Sequence, residues 1–119
     1  MIRSDLARLQ DARACALLAI ESAADVTLDD FVADQTRYRA TLFNIAIIGE
    51  ALGCVAAEVR GLAPDIEWTA IKAMRNHIVH GYWQIRPRVI LRLAQSNLTA
   101  LVLMLDELTK RVETSVAKP

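Results

Sequence analysis

The property of this chain that most restricts its fold is the spacing of its apolar residues, which recur at intervals of three and four. The clearest series, in the last third of the sequence, consists of Ile90, Leu93, Asn97, Leu101, Met104, Leu108 and Val112, in which only Asn97 is polar. This spacing collects side chains on one face of an α-helix. No stretch of the sequence alternates apolar and polar residues with the period of two that indicates a half-buried strand. We therefore predict an all-α protein.

Turn-forming residues divide the chain into separate helices. The first is predicted over about residues 3–24, where only Arg13 interrupts the apolar stripe. Thr27, followed by an acidic residue three positions later, resembles a capping box and starts a second segment. We expect this segment to bend near residues 34–36 and then to continue as a long helix to about residue 60.

The second half of the chain contains two more helices. Gly61, with a proline three residues later, marks the end of the long helix. A fourth helix is predicted over residues 67–80, with acidic residues at its N-terminus and Gly81 at its end. Pro87 suits the first turn of the last helix. The predicted architecture is an up-and-down bundle of four main helices and a short one, forming a single domain over residues 1–119.

The composition indicates whether such a bundle has a partner chain and whether it enters a membrane. A hydrophobic fraction of 54% is high for a soluble monomer and indicates that a partner chain covers some of the surface. The segment closest to a membrane span, residues 42–59, is interrupted by Asn44 and Glu50, which makes insertion unfavourable. Because the N-terminus also lacks the run of a signal peptide, we expect a cytoplasmic protein without a membrane partner.

The two cysteines, Cys15 and Cys54, lie at apolar helical positions. We expect buried, reduced thiols rather than a disulfide or a reactive site.

Gly49, Gly53 and Ala57 recur every four residues, which lets another helix approach closely at a cost in helix stability of about 1 kcal/mol per glycine. That helix belongs either to the same chain, the plainer explanation, or to a second copy in a dimer.

Charge is unevenly distributed although the formal net charge is zero. Residues 1–67 contain six basic and eleven acidic residues, whereas residues 68–105 contain five basic residues and no acidic one. The five are Lys72, Arg75, Arg86, Arg88 and Arg92. The second segment therefore has the charge of an anion-binding surface, which a second copy of the chain would double.

The basic segment also holds a group of side chains suited to catalysis. Arg75, His80 and Tyr82 follow an R-x4-H-x-Y spacing at the end of the fourth helix, and Asn76 comes directly after the arginine. A permanent cation, a group that titrates near neutral pH and a phenol are what chemistry on a phosphodiester requires. The sequence contains no glycine-rich phosphate loop, Ser-His-Asp set or paired catalytic carboxylates.

Arg75 falls on or beside the apolar face of its helix, where a guanidinium requires a partner. Glu50 lies on an apolar stripe of the long helix in the same way, so an inward Glu50 facing Arg75 is the natural pairing. The pair is either a purely structural salt bridge between two core helices or the means by which Glu50 orients Arg75 to bind a phosphate.

His80 lies four residues after Asn76, and therefore on the same face of the helix, near a C-terminus where the macrodipole favours a cation. Arg75 and His80 are five residues apart, about 140° around a regular helix, and so do not share a face. They meet only if the last turn unwinds at Gly81 or if a second copy completes the site across a two-fold axis. This geometry is the main reason to expect a homodimer.

The neighbours of the motif each have two alternative roles. His77 and His80 have the spacing of a metal pair, but the sequence does not indicate a further ligand, so we expect no metal and no cofactor. Tyr82 and Trp83 are expected either to stack on a base or to fasten the loop to the core.

With these residues the chain resembles the HEPN superfamily, and within it the HepT-like toxins of HEPN–MNT toxin–antitoxin pairs. The resemblance rests on three blocks in order: residues 44–51 (NIAIIGEA), residues 64–68 (PDIEW) and residues 74–83, which contain the R-x4-H-x-Y spacing. It covers about residues 28–83. The three blocks together are far more specific than the R-x4-H spacing alone.

The resemblance implies an α-helical homodimer with a composite cleft formed by two copies of the motif. It also implies metal-independent cleavage of RNA, with His80 as general base on the ribose 2′-OH and Arg75 stabilising the developing charge. Asn76 would position the phosphate, and products would carry a 2′,3′-cyclic phosphate. Tyr82 matches the position at which an MNT-type nucleotidyltransferase antitoxin of some systems attaches AMP, an anion that would block the substrate.

One segment departs from the family pattern. The Gly-Val-Asp that commonly follows the aromatic pair is replaced here by Gln84-Ile85-Arg86-Pro87. The motif is intact, but the rim of the site, and with it the choice of substrate, is expected to differ. The candidate RNA contacts are Lys72, Trp83, Arg86 and Arg88.

Two other functions are open on the sequence alone. A non-catalytic HEPN module would use Arg75 and His80 to bind a nucleotide or a nucleotidyltransferase without turnover. A plain dimerisation bundle would use both residues only for stability. A ribonuclease toxin is the leading prediction.

Overall fold

The computed structural model describes the backbone of residues 2–117 and the side chains of residues 4–115. Over this range the chain forms seven α-helices and no β-strand. They are α1 (Ile2–Ser22), α2 (Leu28–Ala33), α3 (Gln35–Gly53), α4 (Ala57–Arg60), α5 (Trp68–Gly81), α6 (Pro87–Arg92) and α7 (Leu98–Ala117). A 3₁₀ turn, Tyr82–Gln84, follows α5, and a π turn, Leu93–Asn97, joins α6 to α7. The predicted all-α fold is confirmed.

Helices α1 and α3 form the central antiparallel pair of the bundle. The hydroxyls of Ser22 and Thr41 lie 2.7 Å apart near one end of the pair, and Asp5 accepts the N–H of Ala56 at 3.3 Å near the other. The buried stripe of α1 is made mostly of alanines, whose small side chains let α3 approach closely. Its apolar members are Leu9, Ala12, Ala16 and Ala19, and the buried Ala23 follows directly after the helix.

The other long helices complete an up-and-down arrangement. Arg13, which interrupts the predicted stripe of α1, is exposed and donates to Asp106 on α7 at 2.6 Å. Gln95 donates to the carbonyl of Ala23 at 2.8 Å, so α7 runs antiparallel to α1. The indole of Trp68 is bonded to the loop after α4, and α6 packs on α2 at the opposite end of the bundle. Helix α5 therefore runs antiparallel to α3.

Two predicted boundaries of the second segment are present. The hydroxyl of Thr27 accepts the N–H of Asp30 at 3.2 Å, as an N-cap does. The predicted bend is a break at Asp34, which ends α2 and caps α3 by accepting the N–H of Arg37 at 3.0 Å. Short-range side-chain bonds thus set both helix starts.

The prediction of one long helix to residue 60 is wrong. Helix α3 ends at Gly53, and the chain turns before α4 begins at Ala57. In the turn the side chain of Val55 is buried, and the N–H of Ala56 bonds to the distant Asp5. These tertiary contacts outweigh the continuation of the helix, which a glycine at its end already weakens.

The predicted stripe of the last helix is also partly wrong. The π turn adds a residue to the helical ladder and rotates the face that enters the core. The buried residues after this turn are Leu98, Leu101, Val102, Leu105, Leu108 and Val112. Leu93, Asn97 and Met104 instead line an open groove of about 350 Å³ between α3, α5 and α7.

One stretch of the described residues, Pro87–Ser115, is long and apolar enough to cross a membrane by length and composition alone. This stretch differs from the one that we singled out in the sequence, residues 42–59. The stretch includes α7, whose buried side chains pack against α1. A core helix satisfies the same criterion.

Candidate active site

All the motif residues lie on α5 or on the 3₁₀ turn that follows it. Helix α5 is bonded as an α-helix up to Gly81, whose own backbone (φ −164°, ψ 44°) leaves the helical conformation, and the 3₁₀ turn starts at Tyr82. The backbone therefore leaves the helix only after His80. The alternative in which unwinding of the last turn brings His80 to Arg75 is wrong. Arg75 and His80 keep the separation of a regular helix, about 140°.

Arg75 is held between two side chains. Its Nε donates to Oε2 of Glu50 at 2.8 Å, and its Nη1 donates to Oδ1 of Asn76 at 3.0 Å. The predicted pair of Glu50 and Arg75 is thus present. The expectation of an inward Glu50 is wrong, since its side chain is 56% exposed and that of Arg75 is 29% exposed. The pair lies at the surface, where both side chains are accessible to a ligand.

The bond to Asn76 brings the guanidinium of Arg75 closer to the side of His80 than the helical angle between the two residues implies. Asn76 lies about 100° from Arg75 around the helix and about 40° from His80. By bonding to Asn76, the guanidinium leans towards the side of α5 on which His80 is exposed. Because Oδ1 of Asn76 accepts this bond, its NH2 group is the part that faces away from Arg75.

Three exposed side chains form a line along α5. Lys72, Asn76 and His80 follow one another at intervals of four, and the exposed Trp83 comes later, on the 3₁₀ turn. The line from Lys72 to His80 is about 12 Å long, since each helical residue adds 1.5 Å. A cation, an amide and an imidazole thus occupy one surface of the helix.

Tyr82 and Trp83 pack on each other and not on the core. Their ring centroids are 5.4 Å apart with the planes at 79°, an edge-to-face contact. Tyr82 is 47% and Trp83 69% exposed, so the alternative in which they fasten the loop to the core is wrong. Both rings are open to a stacking partner.

The remaining candidate contacts lie at the same end of the bundle. Arg86 immediately precedes α6, Arg88 lies in its first turn, and both are exposed. Within the described residues, the ion pairs involve neither of these arginines nor Lys72. In the same part of the chain no group of three or more potential ligands for a metal lies together.

Both cysteines are free thiols. The expectation of burial is wrong for Cys54, which is exposed where α3 ends, and Cys15 is only half-buried. Burial, with a smaller contribution from the carboxylate of Asp11, raises the pKa of Cys15 above its ordinary value. The two thiols and Glu50 line a shallow groove of about 440 Å³ between α1 and α3.

Sequence reasoning missed the open groove beside α5. Its walls include Ile71 and Met74 of α5 and Leu101 of α7, with Asp65 and Glu67 at the rim. The signal in the sequence is Asn97, a polar residue in an otherwise apolar stripe. A polar residue in such a stripe is either buried with a hydrogen-bond partner or exposed at an open surface. Only the packing of α5 shows that Asn97 is exposed.

Comparison with known proteins agrees with the geometry. The family model described as Ribonuclease HepT-like matches residues 13–108. A probable ribonuclease HepT of Thermococcus cleftensis is 26% identical over 110 residues, which cover 92% of this chain and 100% of the relative. A putative RNase of Methanocaldococcus jannaschii is 22% identical over 89 residues, covering 75% of this chain and 74% of the relative.

A putative RNase of Caldanaerobacter subterraneus subsp. tengcongensis is 32% identical over 71 residues, which cover 60% of this chain and 63% of the relative. No solved structure gives a significant match. The family model spans well over half of the chain, including both helices that form the site. The protein therefore belongs to the HepT-like ribonuclease family.

Proposed function

We propose that this protein is the toxin of a toxin–antitoxin pair and cleaves RNA internally, without a metal ion, at the R-x4-H-x-Y motif. Membership of a ribonuclease family supports RNA as the substrate. The observation that carries the proposed site is the hydrogen-bonded chain from Glu50 through Arg75 to Asn76, exposed beside His80. A purely structural salt bridge has no need of the second bond or of the exposure.

The chemistry follows from the free groups of these side chains. His80 accepts the proton of a ribose 2′-OH, and the 2′-oxygen attacks the adjacent phosphorus. The bond to the 5′-oxygen breaks, which leaves a 2′,3′-cyclic phosphate and, after protonation, a 5′-hydroxyl. Arg75 uses two of its five donors in the protein, so three are left for the oxygens of the phosphorane. The NH2 group of Asn76 positions the phosphate.

The same geometry supports a dimer cleft. Within one chain Arg75 and His80 point about 140° apart. A second copy of the chain brings a guanidinium and an imidazole together more directly, one from each subunit. Two exposed apolar side chains lie on the same faces of α3 and α5 as the ion pair. Phe43, 63% exposed, stands seven residues before Glu50, and the half-exposed Val79 stands four after Arg75. A second copy covering them would bury apolar surface at the motif.

The antitoxin is a nucleotidyltransferase of the MNT type in this proposal. The phenol of Tyr82 is accessible, as the acceptor of an AMP group must be. AMP at this position would place a negative charge at the end of α5 that carries the motif and obstruct an RNA phosphate. Modification of Tyr82 would therefore switch the toxin off.

Cleavage in the presence of a chelator tests the enzymatic part. Purified protein is incubated with cellular RNA, and Arg75→Ala and His80→Ala are compared with wild type and with Arg60→Ala, an exposed arginine on α4. We expect the first two changes to lower the rate by about 100-fold or more, and Arg60→Ala to have no effect. Equal cleavage by all four proteins would identify a contaminating nuclease.

Expression in cells tests the toxin part. Expression of the wild type alone should arrest growth and degrade RNA, and co-expression with the candidate nucleotidyltransferase should relieve both effects. The intact mass should then increase by one AMP group in the wild type but not in Tyr82→Phe. RNA cleavage without growth arrest would leave an enzyme but remove the toxin assignment.

A further inference from the structure

Helix α3 presents a glycine where it meets the catalytic arginine. Gly49 is buried in the interior of α3, directly before Glu50. A Cβ atom at this position would overlap Cβ of Arg75 and would lie 3.1 Å both from Cγ of Arg75 and from the carbonyl oxygen of Ile71. The backbones of α3 and α5 are therefore in contact through the glycine.

A change of rotamer cannot relieve this overlap. The Cβ atom of Arg75 is fixed to its backbone, and the carbonyl of Ile71 belongs to the hydrogen-bonded ladder of α5. Any side chain at position 49 therefore has to push α5 away from α3. The missing side chain of Gly49 sets the distance between the two helices at the level of Arg75.

Glu50, the residue after Gly49, makes the distance between α3 and α5 important for the site. Glu50 holds Nε of Arg75 at 2.8 Å, and its backbone is continuous with that of Gly49. A displacement of α5 by a fraction of an ångström or more would stretch this bond and release the guanidinium from its orientation. Gly49 sets how far Arg75 stands from α3, and Glu50 sets how the guanidinium is turned.

We propose that Gly49 is a positioning residue for the ribonuclease reaction, required because only a residue without a side chain lets Arg75 reach Glu50. This inference rests on the proposed function. It gives Gly49 a role beyond helix–helix packing, since the close packing that it permits is with Arg75 itself and with the carbonyl of Ile71 one turn before it.

The chain contains a matched control. Gly53 lies one turn later in the same helix, and a Cβ atom there would have nothing within 4 Å. Replacement of either glycine by alanine raises the helix propensity of α3. Only the replacement at position 49 also displaces Arg75.

Gly49→Ala and Gly53→Ala are compared in two measurements: steady-state cleavage of an RNA oligonucleotide, and the ¹H–¹⁵N signal of the Arg75 Nε–H, assigned by its loss in Arg75→Lys. For Gly49→Ala we expect kcat to fall by about 100-fold with KM nearly unchanged, as for a misplaced catalytic group. The Arg75 signal should shift or broaden because the bond to Glu50 is lost. Gly53→Ala should retain the wild-type kcat and signal.

Wild-type kcat and an unchanged Arg75 signal in Gly49→Ala would overturn the inference, and so would equal losses in both alanine variants. If the wild type cleaves no RNA, the proposed function fails, while the Arg75 signal still decides the role of Gly49. If Gly49→Ala does not fold, the same change is made in Arg75→Gly, which lacks the overlapping Cβ atom. The double variant should then fold, and its failure to fold where Arg75→Gly alone folds would refute the contact.

Discussion

At the scale of single residues, the proposed function gives the exposed ion pair of Glu50 and Arg75 a purpose other than stability. Exposed pairs of this kind typically contribute between about 0 and 1 kcal/mol to the free energy of unfolding. Here the acid is the more exposed partner, and the cation retains most of its donors. In the proposed function, the pair therefore matters mainly through the orientation that it gives to the guanidinium of Arg75.

Glu50→Ala separates orientation from stability. We expect the free energy of unfolding to change by less than about 1 kcal/mol, since the pair is exposed. The kcat for RNA cleavage should fall between about 10- and 100-fold, because Arg75 is no longer held in place. Urea denaturation and steady-state kinetics measure the two effects. Glu58→Ala, at an exposed acid on α4, is the control and should alter neither.

The two thiols should differ in reactivity. Burial and the carboxylate of Asp11 raise the pKa of Cys15 above its ordinary value of 9.0, which lowers its thiolate fraction below pH 9. In Cys54→Ser, alkylation of Cys15 by iodoacetamide should be slow, and its rate should still rise with pH above 9. Asp11→Asn should accelerate the reaction, because it removes a charge that opposes the thiolate. A rate that levels off at pH 9 would contradict the assigned shift.

At the scale of elements, a single buried carboxylate joins three helices. Asp5 lies in the first turn of α1 and accepts the N–H of Ala56, the residue that ends the turn between α3 and α4. Its Oδ1 also accepts from Arg8 at 3.4 Å, whereas Oδ2 is buried and has no partner within the described part of the chain. The contact fixes where α3 stops, and with it the level of Gly49 and Glu50 in the bundle.

Asp5→Ala should destabilise the protein. The N–H of Ala56 loses its acceptor, and a buried unpaired donor costs about 1–3 kcal/mol. Asp5→Asn retains an acceptor for the N–H of Ala56, so its free energy of unfolding should fall by less. Asp11→Ala, at an exposed acid two turns further along α1, is the control and should change the free energy of unfolding by less than about 0.5 kcal/mol. Urea denaturation of the four proteins checks the order.

The line of side chains along α5 predicts an effect of salt. Lys72 is exposed about 12 Å from His80 along the helix, where it can contact an RNA phosphate away from the scissile one. Lys72→Ala should weaken RNA binding and lower the slope of log K against log salt by about 1. The kcat should change little. Lys110→Ala, an exposed lysine on α7, should leave the slope unchanged, and equal slopes for all three proteins would exclude the contact.

At the scale of the whole molecule, the helix that carries the motif is held mainly from one side. Helix α5 packs along α3, and an apolar groove of about 350 Å³ separates it from α7. The site is consequently a surface rather than a cleft within one chain. In the proposed function, a second copy supplies the missing wall and the opposing motif.

Mixing two inactive variants tests whether the site is shared. If each site takes its arginine from one subunit and its histidine from the other, a heterodimer of Arg75→Ala and His80→Ala contains one intact site. Equal mixing after denaturation and refolding should then restore about a quarter of the wild-type activity, since half of the dimers are mixed and each has one working site of two. The unmixed variants, refolded in the same way, should stay inactive. No recovery would place both residues of a site in the same subunit.

The sequence by itself determined the features that depend on neighbours in the chain. Apolar spacing predicted helices throughout, Thr27 and Pro87 marked two helix starts, and the motif residues were identified directly. Capping and amphipathic periodicity act over one or two turns, so the residues that decide them are close together in sequence. The pairing of Glu50 with Arg75 was also predicted, although the expectation of burial that led to it is wrong, since the pair lies at the surface.

Only the tertiary structure decided the features that depend on distant residues. The sequence does not distinguish Gly49 from Gly53, although α5 lies against α3 at Gly49 and a Cβ atom at Gly53 would meet open space. The end of α3 depends on Asp5, 51 residues before Ala56, and the outward position of Glu50 depends on how α5 lies across α3. Local patterns fix which way a side chain points from its own helix. What it meets there depends on helices brought together by packing, which no short stretch of sequence encodes.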